Sequence, residues 1–305
     1  MTKVQQSSES NTSVTVLGLG AIGAAVARTL ASAGKTVTVW NRSADKAQAL
    51  AEAGATVAAT PAEAIAASPI TVVCLWDYQS TDDIFQQDGV AEALRGKVIA
   101  QLCTGSSEEA TRQANWVEAR GASFLAGGVM CFPRAIGAED TRILYSGDPA
   151  VFQQHADLLS VIAPAQKHVG NRAGDAAPVY LALWTFYFSG LGGFLDGLSL
   201  LAAYDLTKDN IRELVAPMAA KLVDGVQDLV TRLDSGNFVG DQTNISSMAS
   251  GLSFSCDQIR EKGIQPRMLD SFVELLKAAE DLGRGQEDVA AAADSFVSQA
   301  ASARV

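Results

Sequence analysis

The sequence predicts an α/β protein with an N-terminal domain built on a mostly parallel sheet, a long interdomain helix and an all-helical C-terminal domain. Three observations carry this expectation. Short β-branched runs alternate with Ala-rich helical segments up to about residue 170, an almost unbroken apolar stretch covers 176–204, and no convincing strand follows it. Such alternation implies a sheet covered on both faces, and a strand-free remainder implies a separate helical domain. The implied divisions are a disordered, Ser-rich tail over 1–12, a sheet domain over 13–172, the interdomain helix over 173–204 and a helical domain over 205–305. The tail lacks the apolar segment of a targeting signal.

Taken in order, strands are expected at 14–17, 36–40, 56–58, 70–75, 97–102, 122–126, 141–146 and 166–169. Helices lie between them, for instance at 61–67, where Thr60 is a good N-cap, and at 106–119, whose first turn carries Glu108 and Glu109. In the second half, 208–234 places Ile211, Leu214, Val215, Met218, Leu222, Val226, Leu229 and Val230 at helical spacing before Gly236. Further helices are expected at 244–262 and 266–283, ending at Gly263 and Gly283, and at 286–300.

The first strand runs into Gly18-Leu19-Gly20-Ala21-Ile22-Gly23, and an apolar helix follows at once. In a strand–turn–helix context, this spacing is a dinucleotide fingerprint and defines a Rossmann domain. Gly18 permits the tight turn, Gly20 lets the backbone approach a pyrophosphate, and Gly23 lets helix and strand pack closely. A 2′-hydroxyl on the adenine ribose calls for a carboxylate at the end of the second strand. This chain carries Asn41, Arg42, Ser43 and, one turn later, Lys46, all able to donate to a 2′-phosphate. NADPH is therefore the expected cofactor. Leu75, Trp76 and Thr104 follow the fourth and fifth strands, where they would flank it.

Net charge is −11 among 305 residues, which argues against nucleic acid and anionic membrane surfaces as partners and favours a soluble, cytoplasmic protein. The cysteines, Cys74, Cys103, Cys131 and Cys256, show no paired spacing, so neither a metal site nor a disulfide framework is expected. The stretch 176–204 has the length of a membrane span, about 30 residues or roughly 45 Å as a helix. It contains Asp196 and Gly190, Gly192, Gly193 and Gly197, however, and lacks flanking basic residues. A helix apolar all round is also buried by other helices. A second subunit is the natural cover, which makes an intertwined homodimer the expected assembly.

The chain resembles the imine reductases, and through them the wider β-hydroxyacid dehydrogenase superfamily. The resemblance spans nearly the whole length. It is carried by the glycine motif, Trp40-Asn41-Arg42-Ser43, Cys74-Leu75-Trp76-Asp77-Tyr78, Leu102-Cys103-Thr104-Gly105, Gly127-Gly128-Val129-Met130 with Pro133, Ile136 and Gly137, Gly147-Asp148, Gly174-x-Ala176-Ala177, Lys262-Gly263-Ile264 and 278–283. The resemblance implies NADPH-dependent reduction of cyclic imines to amines, with reductive amination as a further possibility. The superfamily's catalytic Lys and Asn fall on Pro178 and Ala182, which disfavours a β-hydroxyacid-type NADP dehydrogenase. A non-catalytic NADPH-binding protein is the other alternative.

The polar residue that imine reductases place two positions beyond the lost Lys is here Tyr180, the candidate catalytic residue. A phenol is about as weak an acid as a protonated amine, so it can donate or relay a proton without large tuning. Tyr180 also belongs to an aromatic run with Trp184, Phe186, Tyr187 and Phe188 and can equally be read as core. The implied substrate wall is apolar: Val129, Met130, Phe132, Trp184 and Phe188, with Met248, Leu252 and Phe254 from the helical half of a partner chain. His155 and His168 are expected to be structural.

Overall fold

The computed structural model describes residues 13–302; the tail expected over 1–12 lies outside them. The chain divides into two compact units, the first reaching Thr185 and the second beginning at Phe186.

In the first unit, eight strands form one sheet: β1 (Ser13–Leu17), β2 (Thr36–Trp40), β3 (Thr56–Val57), β4 (Ile70–Val73), β5 (Val98–Gln101), β6 (Ser123–Val129), β7 (Ile143–Gly147) and β8 (Lys167–Gly170). They lie in the order β3-β2-β1-β4-β5-β6-β7-β8, with β1 to β6 parallel. Strands β7 and β8 break the pattern: β7 runs antiparallel to β6 and β8 runs parallel to β7, so both run against the first six. The helices are α1 (Ala21–Ser32), α2 (Ala44–Ala51), α3 (Pro61–Ala67), α4 (Tyr78–Phe85), α5 (Val90–Ala93), α6 (Ser107–Glu118) and α7 (Pro149–Ile162).

Two apolar layers sandwich the sheet because successive strand side chains point to opposite faces. Val14, Val16, Ile70 and Val72 pack with Val26, Leu30 and Leu158 on one face. Leu17, Val73 and Ile99 pack with Ile65, Phe85 and Val117 on the other. Caps set where the helices begin. The Thr60 hydroxyl accepts the Glu63 N–H at 3.1 Å. Ser106 and Glu109 form a reciprocal capping box at α6, which satisfies two orphan donors at once.

Register then fixes the working edge. Leu17 lies opposite Trp40 and Val73, Val73 opposite Gln101, and Gln101 opposite Ala126. Strands β1, β2, β4 and β5 thus end in line while β6 runs on to Val129, and the loops after them share the carboxyl edge where α/β sheets bind ligands.

The long helix α8 (Ala176–Ala202) runs from the first unit into the second, where α9 (Val215–Ser235), α10 (Ile245–Glu261), α11 (Arg267–Ala279) and α12 (Ala290–Ser302) follow. Ile245, Ala249, Leu276, Ala279, Ala291 and Ala292 form the second unit's core. Among the described residues here, pairing of β type is limited to one isolated bridge, Val239 with Glu287.

Several expected helix boundaries move: the helix expected over 266–283 ends at Ala279, the one expected from 286 starts at Ala290, and two others have a visible local cause. Helix α8 ends before Tyr204 because Asp205 takes a left-handed conformation, φ 57°. The N–H of Leu206 then reaches back to Leu201 O, and that of Asp205 to Ala202 O, closing a Schellman motif. Helix α9 starts at Val215 rather than 208. Thr207 accepts from the Asp209 N–H, and Asn210 accepts from the Thr207 N–H. These local bonds hold a separate 3₁₀ turn over Lys208–Asn210.

The segment Ala173–Ala202 is long and apolar enough to cross a membrane by length and composition. The charge within it has a local use: Asp196 accepts the Met268 N–H at 2.9 Å, at the N-terminus of α11. The preceding residue, Pro266, supplies no side-chain cap there.

Candidate active site

The glycine turn is built by exclusion. Gly18 sits at φ 89°, and a Cβ there would lie 2.6 Å from Cys74 O and 2.7 Å from Leu75 Cδ2. A Cβ at Gly23 would overlap the Gly18 carbonyl oxygen, so α1 can rest against the turn only while both residues are bare. Gly20 differs: nothing lies within 4 Å of where its Cβ would be. It is the exposed N-cap of α1 and makes no side-chain cap bond. An open floor at a helix N-terminus is a cradle for an anion, so the residues present fit a dinucleotide pyrophosphate. Ala21 is exposed beside it, whereas Leu19 is buried and Ile22 packs on the core. At these last two positions the side chains are structural.

Asn41 sits differently from the sequence expectation. Its Oδ1 accepts the Leu19 N–H at 3.0 Å, and its Nδ2 donates to Ser43 O at 3.0 Å. The amide therefore clamps the glycine turn to the β2–α2 loop. Arg42, Ser43 and Lys46 are exposed on that loop and the first turn of α2. Ser43 is the N-cap residue of α2, yet its hydroxyl makes no cap bond. Neither Arg42 nor Lys46 forms an ion pair among the described residues.

Beyond β4, Leu75 packs beneath the turn while Trp76 is 88% exposed. Asp77 caps α4, and the Ser80 hydroxyl and N–H hold its carboxyl below the usual carboxylate range. Thr104 is exposed after β5. Under it, Gln101 Nε2 donates to Thr81 Oγ1 and to Gln113 Oε1, and Cys103 Sγ lies 3.3 Å from Gln101 Oε1. Burial pushes the Cys103 thiol up to about 12, so it stays protonated at neutral pH. His155 is buried on α7, and His168 Nε2 lies 2.9 Å from Gly147 O. Among the described residues no cluster of His, Cys, Asp or Glu could hold a metal ion.

The Gly127-Gly128 pair lies within β6. A Cβ on Gly128 would lie 2.8 Å from Tyr180 Cδ2, so the bare strand is the seat of the Tyr180 ring. Paired glycines inside a strand are the sequence signal for such a close approach. Tyr180 meets Trp184 edge-on at 6.2 Å between centroids, and Trp184 meets Phe132 edge-on at 5.6 Å. Val129 and Met130 are half-buried where β6 ends. The first unit therefore gathers Tyr180, Trp184 and Phe132 next to the end of β6.

The remaining expected wall residues belong to the second unit. Phe188 is exposed one turn beyond Trp184 on α8. Met248 and Leu252 pack against the second unit's core, while Phe254 is 67% exposed. At 100° per residue Phe254 lies on the far side of α10 from these two, so the three do not share a face.

A Rossmann sheet with a glycine cradle, basic groups after β2 and a tyrosine at the head of a long helix defines a two-domain nicotinamide-type oxidoreductase. Residues 13–170 match the family described as the NAD binding domain of 6-phosphogluconate dehydrogenase. Residues 173–298 match the NADPH-dependent reductive aminase-like C-terminal domain. The chain is 28% identical over 285 residues to the NADPH-dependent reductive aminase of Aspergillus oryzae, covering 92% of this chain and 96% of that one. It is similar to the solved imine reductase from Pseudomonas sp., with TM-score 0.88, 32% identity, and 93% and 99% of the two chains covered. A reductive aminase from Aspergillus terreus, solved in complex with NADPH and ethyl levulinate, gives TM-score 0.87 and 33% identity over 93% and 99%. The chain belongs to the NADPH-dependent imine reductase and reductive aminase family.

The glycine geometry separates two substitutions. Gly20→Ala should leave the thermal midpoint unchanged and weaken NADPH binding, because the added methyl fills only the cradle. Gly23→Ala should lower the midpoint by several degrees, since overpacking costs about 1–3 kcal/mol. Calorimetry with a fluorescence titration of NADPH checks both, and equal behaviour of the two variants would contradict the exclusion argument.

Proposed function

We propose that this protein reduces imines and iminium ions to amines with NADPH, and that it accepts imines formed from a ketone and an amine. The observation that carries the reading is Tyr180, seated on Gly128 within an aromatic cluster. Pro178 stands where the superfamily's proton-relaying Lys is expected. Reducing a ketone makes a strongly basic alkoxide and needs such a relay, whereas an imine can be protonated beforehand. A weak acid then suffices.

In this reading Gly20 and Ala21 receive the pyrophosphate at the head of α1. Arg42, Ser43 and Lys46 hold the 2′-phosphate, with Asn41 keeping their loop against the glycine turn. Trp76 and Thr104 flank the cofactor from the ends of β4 and β5. NADPH, when bound, would supply the hydride that reduces the C=N carbon. Tyr180 donates a proton at the nitrogen of that bond. The Trp184 and Phe132 rings exclude water and favour a cationic substrate through their faces.

The working form is a homodimer. Helix α9 carries Val215, Met218, Leu222, Val226 and Val230 as an exposed stripe at helical spacing, and none of its residues is buried. Leu195 on α8 is 63% exposed as well. A second copy covers these faces and completes the substrate wall. The acidic balance and the four free thiols accord with a soluble protein of the cytoplasm.

Tyr180→Phe keeps the ring and removes only the hydroxyl. Turnover of a neutral cyclic imine should fall by roughly 10- to 1,000-fold. The loss should be greatest at high pH, where little imine is protonated in advance, and smallest on a permanent N-alkyl iminium. Unchanged rates on both substrates would return Tyr180 to the aromatic core, and faster turnover of a 2-ketoacid would favour the dehydrogenase reading.

Arg42→Ala should weaken NADPH far more than NADH. A charge-assisted bond is worth roughly 1.5–3 kcal/mol, or about 10- to 100-fold in affinity. Equal weakening in paired titrations would remove Arg42 from the 2′-phosphate.

Light scattering on protein recovered without detergent should give twice the chain mass down to micromolar concentration. Obligate interfaces of this kind bury upwards of about 2,000 Å². A folded monomer, or a requirement for detergent, would overturn the assembly.

A further inference from the structure

We infer that Ser146, a residue outside the cofactor and substrate walls, is a positioning residue for Tyr180; the inference rests on the reading of Tyr180 as the proton donor. Helix α8 starts at Ala176, directly after the 3₁₀ segment Ala173–Asp175. A hydroxyl from the sheet engages both ends of that turn. Ser146 on β7 is fully buried. Its Oγ donates to Ala173 O at 2.8 Å and accepts the Ala176 N–H at 2.9 Å. The hydroxyl therefore uses its proton and a lone pair on the two backbone groups that bracket the turn. The Ala176 bond is buried and the Ala173 bond half-buried, and an unmade bond out of water is expensive.

The same strand pair carries the seat of the tyrosine. Ser146 lies opposite Ala126, and Leu144 opposite Gly128. Gly128 receives the Tyr180 ring. Tyr180 follows Ala176 by four residues, about one helical turn, so its ring rises from the turn that Ser146 holds. A third contact closes the arrangement: a Cβ on Gly174 would overlap Ser107 Oγ, which presses the 3₁₀ turn onto α6. With its start pinned to β7 and its first aromatic ring seated on β6, the helix has neither a free rotation nor a free slide. Without Ser146, the Gly174 contact and the ring contact alone are left of these three to resist a shift of the phenol, and a displacement of about 1 Å at a reacting group can cost about 100-fold.

The test compares Ser146→Ala and the near-isosteric Ser146→Cys with wild type and Tyr180→Phe, each as the full-length protein. Turnover is measured on a neutral cyclic imine and on a permanent N-alkyl iminium, with NADPH affinity read by fluorescence titration. Ser146→Ala should lower kcat on the neutral imine by about 10- to 100-fold and spare the permanent iminium. NADPH affinity should stay at the wild-type value, with Ser146→Cys falling between. The double variant with Tyr180→Phe should be no slower than Tyr180→Phe alone, since both changes remove one function.

Equal losses on both substrates, or a further loss on the Tyr180→Phe background, would mark Ser146 as merely structural and overturn the proposal. If Tyr180→Phe loses activity while Ser146→Ala does not, this inference alone fails. If Tyr180→Phe is fully active, the reading of Tyr180 fails first. Should Ser146→Ala not fold, Ser146→Cys carries the comparison, and wild-type kcat in that variant would reject the role.

Discussion

The contact on which the first unit depends is the absence of a side chain at Gly23 against the Gly18 carbonyl. A methyl there would overlap that oxygen, so α1 could not lie where it does. The position of α1 decides where its N-terminus opens, and the bare Gly20 at that N-terminus is the only feature needed to admit an anion. Leu75 and Cys74 O close the other side of the turn, which ties β4 to the same arrangement. Register then brings the ends of β2, β5 and β6 to this edge. One close packing contact is thereby transmitted through a rigid sheet to every loop of the candidate site.

The second half of the site follows another logic. Tyr180 is placed by a helix entering the first unit from its far end in sequence, and its neighbours are strand backbone rather than loop. Gly128 removes a side chain so that a ring can approach, and Trp184 and Phe132 continue the aromatic surface. Edge-on ring pairs of this kind hold a definite geometry beyond their area of burial. The glycine cradle is thus made of backbone, and the aromatic end of the candidate site of side chains.

Much of the fold was legible because its signals are local. Strands β1, β2 and β4 are short β-branched runs, and their contrast with Ala-rich helices is a local signal. Gly236 and Gly263 each adopt positive φ at the helix ends where the sequence places them, whereas Gly283 does so four residues beyond the end of α11. The reversal of β7 was not legible, because a strand's side-chain alternation is the same in either direction. The start of α9 was misread for a different reason: Ile211 and Leu214 fit the helical period, but Thr207 and Asn210 spend their side chains on the local backbone. Asn41 read as a phosphate donor from its position, and only coordinates reveal that both ends of its amide are engaged. The seat of Tyr180 joins residues 52 positions apart and has no local signature beyond a glycine pair in a strand. Met248, Leu252 and Phe254 are alike in being apolar, although helical geometry places Phe254 on another face from the other two.

The Asn41 clamp has a consequence for how this protein could change cofactor. The residue whose identity most often distinguishes the two nicotinamide dinucleotides is here also a fastener of the glycine turn. A carboxylate in its place would keep the oxygen that receives the Leu19 N–H but lose the amide hydrogen given to Ser43 O. Selection for the other dinucleotide would therefore loosen the loop that presents Arg42 and Ser43 in the same stroke as it altered the charge. Preference and architecture are inherited together at this position, so a lineage switching cofactor must rebuild the loop as well as repaint it.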